Sequence, residues 1–140
     1  MNMPQVDKGA AGTPAAGEAK NILSTGNVEI DRKIADGIPL QSLTLIEGEN
    51  DTGKSVLTQQ IMWGAMKQGM DVDLFSTEMT TQSFLKQMES MSLDISDFFA
   101  WGYLRLFPVH IVGFDWSKGE MDGILQRVIE HMSMTKAQVI

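Results

Sequence analysis

One stretch limits what this chain can fold into more than any other: Gly48-Glu49-Asn50-Asp51-Thr52-Gly53-Lys54-Ser55. It satisfies G-x-x-x-x-G-K-[S/T] without a substitution. The apolar run Leu43-Thr44-Leu45-Ile46-Glu47 before it predicts a buried strand, and Val56 to Lys67 after it predicts a helix. Strand, glycine loop and helix in that order are the context in which the motif cradles phosphate. Gly48 and Gly53 let the backbone turn tightly and come close to a ligand with no Cβ in the way. The loop N–H groups then point inward, and the first helical turn adds unpaired donors and the positive end of its dipole. The expected phosphate-binding set is Gly48, Asn50, Asp51, Thr52, Gly53, Lys54, Ser55 and Val56. Lys54 is expected to reach the β- and γ-phosphates and the Ser55 hydroxyl to sit on Mg²⁺.

Length and composition narrow the class further. A chain of 140 residues supports one domain with a real core. No stretch approaches the roughly eighteen apolar residues of a membrane span, and the N-terminal stretch lacks the apolar core of a signal peptide. A cytoplasmic protein with no direct membrane insertion is expected. The absence of cysteine excludes disulfides and thiol catalysis. The formal net charge of −7 lacks the Lys/Arg surplus on which binding to a nucleic-acid backbone depends. A nucleotide or a protein is therefore a better partner than DNA. The 11 methionines read most simply as adaptable core filling.

In chain order, residues 1–20 are an Ala/Gly-rich tail too poor in apolar bulk to offset the entropy of ordering. Ile22 to Gly26 reads as a short extended piece, Val28 to Ile34 as a short helix and Asp36 to Pro39 as a turn. The helix after the loop carries an apolar stripe of Leu57, Ile61 and Ala65, widened by Val56 and Met66, with Gly69 as its stop. Val72, Leu74 and Phe75 predict a strand ending at Ser76-Thr77-Glu78. Thr80 or Thr81 can cap a helix whose apolar positions are Phe84, Leu85, Met88 and Met91. A short helix over Asp94 to Trp101, a strand from Tyr103 to Val109 and a loop over Asp115 to Gly119 follow. Met121, Ile124, Leu125, Val128, Ile129 and Met132 then mark a strongly amphipathic helix. Ala137 to Ile140 begins another apolar strand. Strands alternating with helices predict an α/β fold with a mainly parallel sheet, flanking helices and the ligand at the strands' carboxyl ends. The loop after Ile46 and the residues after Phe75 should share that edge.

Glu78 is the candidate catalytic carboxylate. At the end of its strand it could orient or deprotonate a water for attack on the γ-phosphorus. Its plainer alternative is a solvated strand-end charge. His131 falls on the polar side of the last helix and is expected to be solvated. His110 reads as a structural histidine, and Trp63, Trp101 and Trp116 as packing residues.

Thr25-Gly26, Asp31, Gly37-Ile38-Pro39 and the loop resemble the opening of RecA-like ATPases of the KaiC branch. Ser24-Thr25-Gly26-Asn27, Leu45-Ile46-Glu47-Gly48, Thr52 to Leu57, Phe75-Ser76-Thr77-Glu78 and above all Gly102 to His110 are similar to the FlaH (ArlH) family of the archaellum, the archaeal flagellum. The similarity covers residues 22–140. It implies a RecA-like domain over residues 21–140 that binds ATP and Mg²⁺ at the cytoplasmic side of the archaellum motor. The implied partners are the motor ATPase, the membrane platform protein, the cytoplasmic ring proteins and further copies of itself. In KaiC-like enzymes a second Glu follows the position of Glu78. Here it is Met79, which implies weak or absent hydrolysis and a regulatory role for ATP. Ala137-Gln138-Val139-Ile140 looks like the strand that leads to a Walker B aspartate, so the chain reads as the front part of such a domain. The competing expectations are an active ATPase of signalling or recombination and a DNA-handling paralogue.

Overall fold

The computed structural model describes residues 21–77, 79–109 and 120–140. The tail, Glu78, His110, Trp116 and the loop Asp115 to Gly119 lie outside the described residues. The elements are β1 (Ile22–Leu23), α1 (Val28–Lys33), β2 (Ile38–Pro39), α2 (Lys54–Lys67), β3 (Val72–Ser76), α3 (Thr81–Ser90), α4 (Ser96–Ala100), β4 (Leu104–Pro108) and α5 (Glu120–Met134).

The predicted parallel pairing is present. β3 and β4 run parallel with Val72 opposite Leu104 and Phe75 opposite Phe107. Val139 bridges Val72 on the other side of β3, also in parallel. Because side chains alternate along a strand, Val72 and Leu104 join a core with Met62, Ala65, Met66, Phe84 and Met88 from α2 and α3. Phe84, Met66 and Met88 are fully buried, each contributing about 1.5–3 kcal/mol relative to exposure. On the opposite face, Phe75 and Phe107 stack at 4.9 Å between centroids, and the His131 ring of α5 meets both edge-on.

Local signals explain most boundaries. Asn27 caps α1 by accepting from the Glu29 and Ile30 amides, and Thr80 caps α3 by accepting from Ser83 N. Gly69, at φ 80°, ends α2 in the left-handed conformation, with Met70 N returning to Ala65 O. The turn expected over Asp36 to Pro39 is confined to its first half, since Ile38 and Pro39 pair antiparallel with Leu23 and Ile22.

Three expectations fail. Leu43 to Glu47 forms no strand, and Leu43 and Leu45 are 99% and 84% exposed. A strand persists only against a ladder partner, and among the described residues none runs beside this segment. The buried face of α2 is also rotated from the predicted stripe. Gln59, Met62, Ala65 and Met66 are inside, Leu57 and Ile61 are half-buried and Val56 is exposed. The third concerns packing at the surface: Trp101 is largely exposed, and so are Leu125, Ile129 and Met132 of α5, while Ile124 and Val128 turn inward.

The contact that sets the α2 face is Gly64. Its backbone lies directly on Ser24 and Thr25, and an added Cβ would stand 2.3 Å from the Thr25 carbonyl carbon. Asp31 holds that segment in place, accepting from Ser24 Oγ at 2.6 Å, Thr25 Oγ1 at 2.7 Å and Thr25 N at 2.9 Å. Gln60 Nε2 reaches across from α2 to Thr25 O at 2.8 Å. Gly64→Ala gains up to about 1 kcal/mol in helix propensity but overpacks a backbone contact at a cost of about 1–3 kcal/mol. The expected outcome is a net loss of stability in urea denaturation; an unchanged or higher midpoint contradicts this packing.

Candidate functional site

The loop is built from two glycines used for different reasons. Gly53 caps α2 at φ 88° and ψ 14°, a left-handed conformation, and gives α2 no side-chain cap. The first-turn N–H groups of α2 therefore meet no capping side chain from that position. Gly48 supplies space: Thr52 Oγ1 donates to Glu49 O at 2.8 Å, and a Cβ on Gly48 would fall 2.7 Å from that hydroxyl. Asp51 also takes a positive φ of 61°, which Asp tolerates better than most residues. Lys54 folds back into the loop, its Nζ donating to Gly48 O at 2.9 Å and to Glu49 O. Two neutral carbonyls thus hold an ammonium at a helix N-terminus, where an anion is favoured.

A cleft of about 250 Å³ opens beside this loop. Lys54 and Ser55 line it from the loop end, Gln59 from the α2 wall, and Ser76, Thr77 and Met79 from the end of β3. The predicted meeting of the loop with the residues after Phe75 is therefore present. Gly48, Asn50, Asp51, Thr52 and Gly53 are exposed and do not line the cleft, and Val56 points its side chain to solvent. Glu78 lies outside the described residues. Met79 follows with its backbone N donating to Ser76 Oγ at 3.1 Å and its side chain packed on the core. Among the described residues that line the cleft none is acidic, and no group of three acidic or imidazole side chains could hold a metal. The Ser55 hydroxyl at the loop end could supply one oxygen to Mg²⁺, with phosphate oxygens and water filling further positions.

The opposite face of β3 holds a network that periodicity alone does not reveal. The fully buried Asp73 carboxylate accepts from Arg105 Nε at 2.6 Å and from Thr135 Oγ1 at 2.7 Å, and lies 2.6 Å from His131 Nε2. Asp73 and Arg105 are direct neighbours in the β3–β4 register. His131 is therefore not a solvated surface residue, because α5 carries it onto the sheet. The available signal was one acid and one base, each set in the middle of an apolar strand. Burial works to raise the Asp73 pKa, but hydrogen bonds from His131, Thr135 and Arg105, with the Arg105 charge, bring it below the ordinary carboxylate value. The Asp31 carboxyl is likewise held low, with burial outweighed by the bonds from Ser24 and Thr25.

The sign of the pH effect follows from these depressions. Both carboxylates contribute stability above the unfolded-state pKa of about 3.9, and that contribution disappears as pH falls through the lower folded-state values. Asp73→Asn is expected to cost roughly 1–3 kcal/mol at neutral pH and to flatten the loss of stability as pH falls below about 4. Urea titrations across that range check it; an acid limb identical to that of the parent chain refutes the role given to Asp73.

Glycine loop, uncapped helix N-terminus and parallel sheet together define an α/β domain of the P-loop class. Residues 23–138 match the family model described as "ATPase: KaiC", and the chain belongs to that family. It is 38% identical over 112 residues to the archaeal flagellar ATP-binding protein FlaH of Methanocaldococcus jannaschii, covering 80% of this chain and 47% of that protein. It is 34% identical over 108 residues to FlaH of Sulfolobus acidocaldarius, covering 77% and 47% respectively. The crystal structure of flagellar accessory protein FlaH from M. jannaschii superposes with a TM-score of 0.59 at 38% identity, over 64% of this chain and 39% of that one. The chain thus spans about half the length of these curated relatives. Among the described residues no helix is long and apolar enough to cross a membrane.

Proposed function

We propose that this chain binds ATP with Mg²⁺ at Gly48–Val56 and serves as a nucleotide-switched component of the archaellum motor. The observation that carries the binding reading is the Lys54 ammonium, held on the Gly48 and Glu49 carbonyls at the start of α2 and facing a cleft of polar strand-end residues. Polyphosphate oxygens are stronger acceptors for that cation than neutral carbonyls, because both partners are then charged. The loop N–H groups, the first turn of α2 and Lys54 would hold the phosphates, and Ser55 would hold the metal with phosphate oxygens and water. Mg²⁺ would supply charge neutralisation along the phosphates.

The motor assignment rests on the names of the relatives, which are flagellar ATP-binding proteins. Its partners on this reading are the motor ATPase, the membrane platform protein, the cytoplasmic ring proteins and further copies of the chain, engaged at the cytoplasmic face of the membrane. Binding rather than turnover is favoured by Met79. It sets a thioether, packed toward the core, where an active enzyme of this family resemblance would carry a second carboxylate.

Lys54→Ala tests the reading. The variant is expected to bind Mg²⁺-ATP roughly ten- to a hundredfold more weakly by calorimetry, the range for losing a charge-assisted hydrogen bond, with little change in its own unfolding midpoint. Equal affinity in variant and parent overturns the site.

A further inference from the structure

The inward face of α2 carries one polar residue among its apolar ones. Gln59 is 2% exposed and sits on the same buried side as Met62, Ala65 and Met66. Its amide nitrogen donates to Gln87 Oε1 of α3 at 3.1 Å. Its amide oxygen has no partner, the one buried side-chain polar atom so placed among the described residues. Such an orphaned acceptor costs about 1–3 kcal/mol. Turning both amides over only moves the deficit to the nitrogen of Gln59. A methionine would fill the same space at no such cost.

Gln59 also lines the cleft, alongside Lys54, Ser55 and Ser76. The oxygen is shielded from solvent, so it meets a ligand in that cleft by a turn of the Gln59 side chain, and the ligand's chemistry is constrained. A carbonyl oxygen needs a donor, whereas phosphate oxygens at neutral pH only accept. The phosphate itself is therefore not the partner of Gln59. A water molecule can donate to it, and Mg²⁺ brings several, because it dehydrates reluctantly. We infer that Gln59 is a positioning residue of the cleft whose amide oxygen accepts from a water of the Mg²⁺–nucleotide complex. Its amide nitrogen meanwhile ties that water to α3 through Gln87. This rests on the nucleotide reading above and adds to it a reader of the bound metal. α3 starts at Thr81, a few residues past the strand end that lines the same cleft, so occupancy reaches α3 through a single amide.

The test compares the parent chain with Gln59→Met and Gln59→Glu, measuring thermal unfolding without nucleotide and ATP affinity in Mg²⁺ and in EDTA. Without nucleotide, Gln59→Met should raise the midpoint by about 3 °C, since it removes a buried unpaired acceptor. Gln87, only half-buried, can turn its freed carbonyl to water. The gain in ATP affinity that Mg²⁺ confers should fall roughly fivefold in Gln59→Met and persist in Gln59→Glu, which keeps an acceptor at that place. Binding in EDTA should be the same in Gln59→Met and the parent, and weaker in Gln59→Glu, whose carboxylate repels the phosphates. A lower midpoint for Gln59→Met, or an undiminished Mg²⁺ gain, overturns the inference. Should Gln59→Met fail to fold, loss of the Mg²⁺ gain in Gln59→Glu overturns it as well. A parent chain that binds no ATP in either buffer refutes the nucleotide reading itself, which the Gln59 comparison alone does not.

Discussion

The buried carboxylate of Asp73 organises the sheet from which the cleft is built. Its two oxygens draw together Arg105 of β4 and both His131 and Thr135 at the end of α5. Its backbone N–H is taken by Val139 O on the far side of the same strand. One residue thus joins four segments. A buried ion is tolerable only when fully paired and hydrogen-bonded, and the three donors meet that condition. The consequence lies three residues along, where β3 delivers Ser76 to the edge of the cleft in a fixed register.

The two faces of that sheet carry different work. The α5 face is polar at Asp73 and aromatic at Phe75 and Phe107, and it locks helix to strand. The other face packs Val72 and Leu104 on α2 and α3 and positions the loop. There α2 is held from two directions. Gly64 rests on the Ser24–Thr25 segment that Asp31 clamps, and Gln59 is tied to α3. The helix that presents Lys54 and Ser55 is therefore anchored along its length, while the loop ahead of it stays open and solvated. A helix fixed behind the glycine loop presents its N-terminal backbone donors to a phosphate with little reorganisation.

Much of this was legible in the residues themselves. Thr80 and Gly69 carry their cap and stop chemistry in their identities, and the period of Phe84 and Met88 names the buried face of α3. Lys54 and Ser55 of the motif line the cleft, and the meeting of that loop with the end of β3 followed from the alternation of strands and helices. What escaped depends on contacts across the chain. Leu43 to Glu47 has the composition of a strand but gains no ladder here, because pairing is a property of two segments. The face of α2 was misjudged because a glycine contact and a buried glutamine, rather than the leucine and isoleucine, decide its rotation. His131 looked polar on its helix and is polar, yet its partner lies 58 positions away. Neither that separation nor the unpaired oxygen of Gln59 leaves a local trace.

The central claim is that the N–H groups of the glycine loop and the first turn of α2 bind the phosphates of a nucleotide. Hydrogen–deuterium exchange of the backbone, with and without saturating Mg²⁺-ATP, reads those groups directly. Exchange should slow over Asn50–Val56, now solvated, while the amides of β4 are unaffected. Unchanged exchange over Asn50–Val56 in the presence of bound nucleotide would contradict that claim.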